Sequence, residues 1–316
     1  MEKREIGSSG IKIAPFALGS NVFGWTIDEK QSFTILDGFV DAGFDLIDTA
    51  DVYSTWGAGN KGGESETIIG NWLKKSGKRE KVIIATKVGK PMGSDKKGLS
   101  RKYITEAVEA SLKRLQTDYI DLYQSHEDDP HTTLLETLET FDDLIKQGKV
   151  KAIGASNISG ERLKDTLQVS KDNNLAAYQC MQPEYNLYAR EGYEKEYEPV
   201  CRERNIGVIS YYSLASGFLT GKYRSENDLS QSSRGAGVKS MLNPRGYKIL
   251  AALDKVAAEL NMSEAAVALA WIMARPGITA PIASATTVKQ LDELVKSTEL
   301  TLNSDAIDLL NSASKY

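Results

Sequence analysis

The sequence predicts a closed (β/α)8 barrel of the TIM type, preceded by an N-terminal β-hairpin and carrying extra C-terminal helices. Three observations lead there. Eight short apolar runs, many rich in Val, Ile or Tyr, have the composition of buried parallel strands: 15–18, 44–47, 82–86, 119–124, 150–155, 178–181, 206–210 and 278–282. Segments with helical periodicity lie between them, and parallel strands require such crossovers. After the first run the chain reads "GSNVFGW", which lacks the G-x-G-x-x-G spacing of a dinucleotide-binding open sheet. An open doubly wound sheet is the competing architecture, and the count of eight strands favours the closed barrel.

The elements follow in order. "EKREIGSSGIKI" reads as a hairpin turning at 7–10, placed to close the barrel floor. "DEKQSFTILDGFVDAG" sets Asp28 and Gln31 at capping-box spacing, with Phe33, Leu36 and Val40 on one face. A second helix fits 64–76. "SRKYITEAVEASLKRLQ" offers Ser100 as N-cap and Ile104, Val108, Leu112 and Leu115 as its stripe. "TTLLETLETFDDLIKQGK" repeats the pattern and ends at Gly148, a C-cap residue type. Further helices fit 159–173, 194–204, 245–260 and 287–297, with 263–275 and 304–315 as extras. Residues 216–246 show no element of their own. A connection this long is usually functional or disordered, and a functional one would cover whatever binds at the barrel mouth. No repeat, low-complexity tract or linker divides the chain, so residues 1–316 are expected to form one domain.

Composition excludes several classes. Apolar residues make up 41% and charged residues 26%, the balance of an ordinary packed core. A net charge of −4 argues against a nucleic-acid partner. The first ten residues lack the apolar stretch of a secretory signal, and no apolar run approaches the roughly 18 residues of a membrane span. Cys180, Cys201, His126 and His131 fall into no metal-ligand spacing, so no metal is expected. A reducing cytosol is the simplest setting, which gives a cytoplasmic assignment, with Cys180 as a small buried hydrophobe.

In such a barrel the C-terminal strand ends and the loops after them form the face that carries chemistry. Those ends read Ser20 and Asn21, Asp48, Lys87, His126, Ser156 and Asn157, Gln182, Tyr211, and Ser284. Any one alone fits a strand terminus meeting water: Asp48 as a loop cap, Lys87 as a solvated charge, Ser156–Asn157 as an N-cap. Their convergence on one face reads as a site. Tyr53 lies five residues beyond Asp48. A phenol has an unperturbed pKa of about 10, and a neighbouring ammonium is expected to lower it and ease proton donation. Asp48 would keep Lys87 charged, and His126 would hydrogen-bond the reacting oxygen. That set suits protonation of an oxygen on which negative charge develops.

The chain resembles an aldo-keto reductase. The matching stretches are "FDLIDTADVY", "VIIATK", "DLYQSH", "VKAIGASN", "QPEYNLYARE", "SYYSLASGFLTGKY" and "PIASATTVKQLDE", in family order over nearly the whole chain. The resemblance implies a nicotinamide-dependent carbonyl reductase with Tyr53 as general acid, Lys87 and Asp48 tuning it, and His126 orienting the carbonyl. Ser156, Asn157 and Gln182 match residues that hold the nicotinamide carboxamide, and Tyr211 the aromatic that stacks on its ring. Ser20 and Asn21 match the first cofactor-touching loop, Lys222 and Arg234 the basic residues over the dinucleotide phosphates. Thr286, Gln290 and Glu293 match the adenosine end. Asp48, Ser213, Leu214, Ser216 and Ser284 join the same cofactor set. Trp25 and Trp56, with Tyr53 and His126, are expected to line the pocket of a small carbonyl substrate.

Three positions depart from the family pattern: Ser213 for a frequent proline, Leu294 for a frequent asparagine, and Thr286 for a serine or arginine beside the 2′-phosphate. NADPH is the expected cofactor, with NADH as the alternative and Lys289 or Arg234 as candidate substitutes for the missing arginine. An NAD-linked sugar or polyol dehydrogenase and a cofactor-binding regulator with little turnover stay open as competing functions. The sequence leaves the oligomeric state open.

Overall fold

The structure, a computed structural model, describes residues 1–316. Its first elements are a two-stranded antiparallel hairpin, β1 (Arg4–Glu5) and β2 (Lys12–Ile13), paired Arg4 to Ile13 and Glu5 to Lys12. Eight parallel strands follow: β3 (Ala17–Gly19), β4 (Leu46–Asp48), β5 (Ile83–Val88), β6 (Ile120–Ser125), β7 (Val150–Ser156), β8 (Cys180–Gln182), β9 (Gly207–Ser210) and β10 (Ile278–Ala283). Each pairs with the next, and β10 returns to β3 through Ala283 and Leu18, so the barrel is closed. Closure leaves no sheet edge exposed.

Most strand boundaries shift by one or two residues from the sequence reading, and two of the shifts have a local cause. The first strand starts at Ala17 rather than at Pro15, because proline has no N–H for the ladder and the Ala14 amide is taken by the Asp45 carboxylate at 2.9 Å. The sixth begins at Cys180, while the Tyr178 hydroxyl bonds Ser125 at 2.6 Å.

Helices α1 (Glu29–Asp41), α2 (Glu64–Ser76), α3 (Arg101–Leu115), α4 (Leu134–Lys146) and α5 (Gly160–Asp172) wrap the first strands. Asp28, Ser100 and Ser159 cap α1, α3 and α5 by accepting the N–H groups of Gln31, Tyr103 and Arg162. The capping box at α1 stays half-made: the Gln31 amide donates instead to the Thr286 carbonyl at 3.2 Å, tying this helix to the loop after β10. Gly148 follows α4 at φ 72°, the left-handed geometry a helix end favours.

The remaining helices are α6 (Glu198–Glu203), α7 (Pro244–Leu260), α8 (Glu264–Met273), α9 (Val288–Lys296) and α10 (Ser304–Ala313). Helices α8 and α10 stand outside the strand–helix alternation. Every residue of α8 from Ala265 to Met273 is buried. No single helix is long and apolar enough to cross a membrane.

Residues 216–246 prove to be structured. Three 3₁₀ segments, Ala215–Thr220, Glu226–Gln231 and Gly235–Met241, fold onto the barrel and anchor through buried Phe218, Leu219, Tyr223 and Val238. Short 3₁₀ turns carry no 3.6-residue apolar stripe, which is why periodicity passed over them.

The larger apolar cluster, 70 buried residues, lies between sheet and helices; the inner one has 11. Burial between layers therefore supplies most of the hydrophobic stabilisation. The inner cluster stacks Ala17, Leu46, Ala85, Leu122, Ala152, Cys180, Ile209, Ala280 and Ile282 with Ile6 and Ile13 of the hairpin. The hairpin thus plugs the N-terminal end of the barrel, and the polar strand ends open at the other.

Candidate active site

Side chains alternate along each strand, so the positions after the apolar inner layer point inward at the open end. Asp48 follows Leu46 on β4, Lys87 follows Ala85 on β5, and Gln182 follows Cys180 on β8. Each therefore enters the barrel mouth by register. Tyr53 is delivered by the loop after β4, and His126 follows β6 with its amide bonded to the Val88 carbonyl at 2.8 Å.

The structure brings the four candidate catalytic residues together. The Lys87 ammonium, fully buried, directs its three donors to Asp48 Oδ2 at 2.8 Å, the Thr49 carbonyl at 2.8 Å and the Tyr53 hydroxyl at 3.0 Å. That exhausts an ammonium's hydrogen-bonding capacity. Asp48 accepts also from Gln182 Nε2 at 2.9 Å and from the Tyr53 hydroxyl at 3.2 Å. The Tyr53 and His126 rings meet edge to face, centroids 5.9 Å apart.

Charge settles the protonation states. Burial and the nearby Asp48 carboxylate hold the Tyr53 phenol well above its ordinary value. This corrects the expectation that Lys87 lowers it: the ammonium is already matched by Asp48, and both flank the same hydroxyl. A phenol held protonated is the form a general acid needs. Burial also lowers the Lys87 ammonium from its ordinary value, with Asp48 pulling the other way. Burial first, then Lys87 and Lys90, push His126 well below its ordinary value, so the imidazole is neutral.

These groups form the floor of a cavity of about 1060 Å³, the largest scale of ordinary small-molecule sites. Its lining includes Asn21, Asp48, Tyr53, Trp56, His126, Ser156, Asn157, Gln182, Tyr211, Ser213, Leu214, Ser216, Lys222, Arg234, Ser284, Thr286, Gln290 and Glu293. The Tyr211 hydroxyl donates to Asn157 Oδ1 at 2.9 Å, and Asn157 donates to the His126 carbonyl at 2.8 Å and to Ser156 at 3.0 Å. Ser284 donates to Asn21 at 2.7 Å, a contact open only because Gly19 has no Cβ in the way. Thr286 directs both its N–H and its hydroxyl to Gln290 Oε1, at 2.8 and 2.9 Å.

The turn after β9 carries left-handed backbone at Ala215 (φ 48°), Ser216 (φ 56°) and Gly217 (φ 92°). Such successive positive φ values bend the chain into a concavity that suits an anion. The Lys222 ammonium packs against Gly217 at its rim.

Two expected contacts do not form. Ser20 is fully buried and does not reach the cavity; its amide and hydroxyl both hold the Asp48 carbonyl, at 2.9 and 2.8 Å, and it accepts from Ser65 at 2.7 Å. On β3 the alternation runs Ala17 inward, Leu18 outward and Gly19 inward, so Ser20 points into the layer between sheet and helices. Trp25 stands behind Trp56, edge to face at 5.8 Å, and supports the wall rather than lining it.

Several cavity residues escaped the sequence reading, Lys90, Tyr212 and Glu264 among them. Lys90 lies among the lysines of the loop "VGKPMGSDKKG", which carries no motif, and Tyr212 was shadowed by Tyr211. Glu264 belongs to α8, which gave no hint of a site. Gln124 lies in register with Lys87, buried against Gly154 inside the barrel. Its alternation with Leu122 was the available signal.

Comparison with known proteins agrees with this architecture. The model of the Aldo/keto reductase family matches residues 15–315. The chain is similar to the uncharacterized oxidoreductase YrpG of Bacillus subtilis, 36% identical over 98% of this chain and 95% of the relative. It is equally similar to the aldo-keto reductase YhdN of the same organism, 36% identical over 96% and 91%. A probable voltage-gated potassium channel subunit beta of Arabidopsis thaliana is 32% identical over 95% and 92%. With a closed parallel barrel, an Asp–Lys–Tyr–His cluster at its open end and this match across nearly its full length, the chain belongs to the aldo/keto reductase family.

Proposed function

We propose that the protein reduces an aldehyde or ketone to an alcohol with a nicotinamide cofactor, NADPH before NADH, and that Tyr53 is the general acid. The observation that carries this reading is the placement of the Tyr53 hydroxyl at the cavity floor, 3.0 Å from an ammonium and 3.2 Å from a carboxylate, beside a neutral histidine. The residues present fit a dinucleotide. The left-handed turn at 215–217 and Lys222, which has no acidic partner, suit its phosphates. Tyr211 and Asn157 would hold its nicotinamide, and Thr286, Gln290 and Glu293 its adenosine.

A nicotinamide bound in this cavity would supply the hydride for the carbonyl carbon. The chain's residues handle the oxygen. His126 donates a hydrogen bond to it and orients it; Tyr53 gives up its proton as negative charge develops there. The phenolate left behind faces the Lys87 ammonium, which Asp48 and the Thr49 carbonyl hold in place. The test is loss of reduced-cofactor absorbance with 4-nitrobenzaldehyde. Tyr53→Phe is expected to lower kcat by at least about 100-fold; a variant with full rate rules Tyr53 out as the acid.

A second cofactor assignment rests on a specific observation. Thr286 has both donors committed to Gln290, and Glu264 and Glu293 line that end of the cavity. A 2′-phosphate there would meet carboxylates, which supports NADH and with it an NAD-linked alcohol dehydrogenase. Dissociation constants for both reduced cofactors separate the two. Similarity to channel beta subunits supports a third reading, a cofactor-binding regulator, which negligible turnover with tight cofactor binding would favour. Cys180 and Cys201, buried and unpaired, support a cytoplasmic setting.

A further inference from the structure

We infer that the buried hydroxyls of Ser20, Thr49 and Ser65 are positioning groups for the chemistry at Tyr53: they fix the peptide that joins Asp48 to Thr49, and with it two of the three oxygen atoms that hold the Lys87 ammonium. The inference rests on the carbonyl-reductase reading and extends it to residues behind the cavity wall.

The three hydroxyls form one directed chain. Thr49 Oγ1 donates to Ser65 Oγ at 3.0 Å, Ser65 Oγ donates to Ser20 Oγ at 2.7 Å, and Ser20 Oγ donates to the Asp48 carbonyl at 2.8 Å. A hydroxyl has a single proton to give, and here each is given forward along the chain. The chain starts on the Thr49 side chain and ends on the carbonyl bonded to the Thr49 nitrogen, so it closes on one peptide unit. The N–H of that unit donates to the Ala85 carbonyl at 2.8 Å, and its carbonyl accepts a second bond from the Ser20 amide at 2.9 Å. Both polar groups of the peptide are thereby tied to neighbouring elements: Ser20 follows β3, Ala85 lies on β5, and Ser65 lies on α2.

That peptide carries the geometry of the site on both sides. Asp48 sends its carboxylate to Lys87 Nζ at 2.8 Å, and Thr49 sends its own carbonyl to the same nitrogen at 2.8 Å. A rotation of the peptide moves both acceptors at once.

The location of the hydroxyls is the second argument. Ser20, Thr49 and Ser65 are fully buried where β3, β4 and α2 meet, and none of them lines the cavity. Burying a hydroxyl costs desolvation that an apolar side chain of the same volume avoids. Packing alone therefore gives no reason for three of them in this layer. Ser65, the second residue of α2, makes no capping bond to its own helix; its proton goes to Ser20. Ser20 thus has in the wall the role that the cavity does not give it.

The test uses Thr49→Val, which keeps the shape and the backbone carbonyl, and Ser65→Ala, with Ser65→Thr as the conservative replacement. With 4-nitrobenzaldehyde each of the first two is expected to lower kcat about three- to tenfold, while the Kd of the reduced cofactor stays within about twofold of the parent's. The alkaline limb of kcat/KM should move to lower pH by about half a unit to one unit, because an ammonium with a displaced acceptor gives up its proton more readily. Lys87 faces Asp48 from β4, Asp51 and Tyr53 from the loop after it, Lys90 from the loop after β5, and His126 beyond β6. The hydroxyl chain reaches only the first of these, through its backbone. Ser65→Thr should return both kcat and the limb to the parent's values. Variants that are less stable in urea but keep the parent's kcat and limb overturn the inference and leave the hydroxyls as scaffolding, with the reductase reading standing. A loss confined to cofactor affinity overturns it likewise. If the parent turns over no aldehyde, the reductase reading fails, and titration of Lys87 by NMR of isotope-labelled lysine, assigned with Lys87→Met, decides the positioning role alone. A Lys87 titration that falls in Thr49→Val or Ser65→Ala upholds it; an unchanged one overturns it.

Discussion

Replacing Asp48 with asparagine removes one charge from a balanced group. The Tyr53 hydroxyl lies 3.0 Å from Lys87 Nζ and 3.2 Å from Asp48 Oδ2. At an effective dielectric of about 20, unit charges at these distances act on a phenolate by about 5 kcal/mol each, in opposite senses. They nearly cancel, so burial decides and the phenol stays protonated. Asparagine keeps the volume and a hydrogen-bond acceptor but leaves the ammonium unopposed. The phenol is then expected to fall, and the alkaline limb of kcat/KM to move to lower pH. The rate should then fall about tenfold for each pH unit above the lowered value. The assay is kcat/KM from about pH 6 to 10, paired with the ultraviolet difference spectrum of tyrosinate and a circular dichroism check of folding. An Asp48→Asn enzyme whose alkaline limb stays put or moves upward refutes the balance argument.

Other outcomes follow from the same structure. At Gly70, on α2, a Cβ would run into the Arg114 carbonyl at the end of α3, so Gly70→Ala should cost about 1–3 kcal/mol in chemical denaturation; an unchanged midpoint would mean the two helices separate freely. Asp51 is buried, neither of its carboxylate oxygens has a partner, and burial raises it well above 3.8. Such an acid destabilises the fold as pH rises through its unfolded value, so Asp51→Asn should be more stable than the parent at neutral pH and lose that advantage in acid. A less stable Asp51→Asn protein at neutral pH counts against a neutral carboxyl there. His126 is held below 6.5 in the fold, so it binds a proton more readily when unfolded. Its contribution to stability is present above that value and fades as pH falls through it. His126→Gln should flatten the fall in stability on the acid side, and a slope as steep as the parent's would assign the acid sensitivity elsewhere.

The barrel was legible in the chain because its determinants are local and repeated. Strands buried on both faces must be apolar along their length, as in "VIIATK", and the helices between them announce themselves by stripe and cap, as Ser100 and Ser159 do. The catalytic cluster was legible for a related reason. A strand that must bury its body and end in chemistry switches from apolar to polar at one residue, and Asp48, Lys87 and His126 all stand at such a switch. The family motifs placed Tyr53 beside them.

What escaped the sequence depended on direction and distance. Ser20 and Asn21 are neighbours with the same apparent role, yet one holds the Asp48 carbonyl from inside the wall and the other faces the cavity. Gln31 has capping-box spacing, but its amide finds the Thr286 carbonyl across the fold. The 3₁₀ segments around Arg234 have no period to read, because single buried side chains hold them. The phenol's protonation likewise follows from two distances and an enclosed hydroxyl, which no spacing encodes. The sequence by itself determined which residue types line the barrel and where each strand meets solvent, since burial constrains composition one residue at a time. Only the tertiary structure decided which of the polar ends share a proton and which serve as scaffolding, because electrostatics depends on separation in space across segments far apart in the chain.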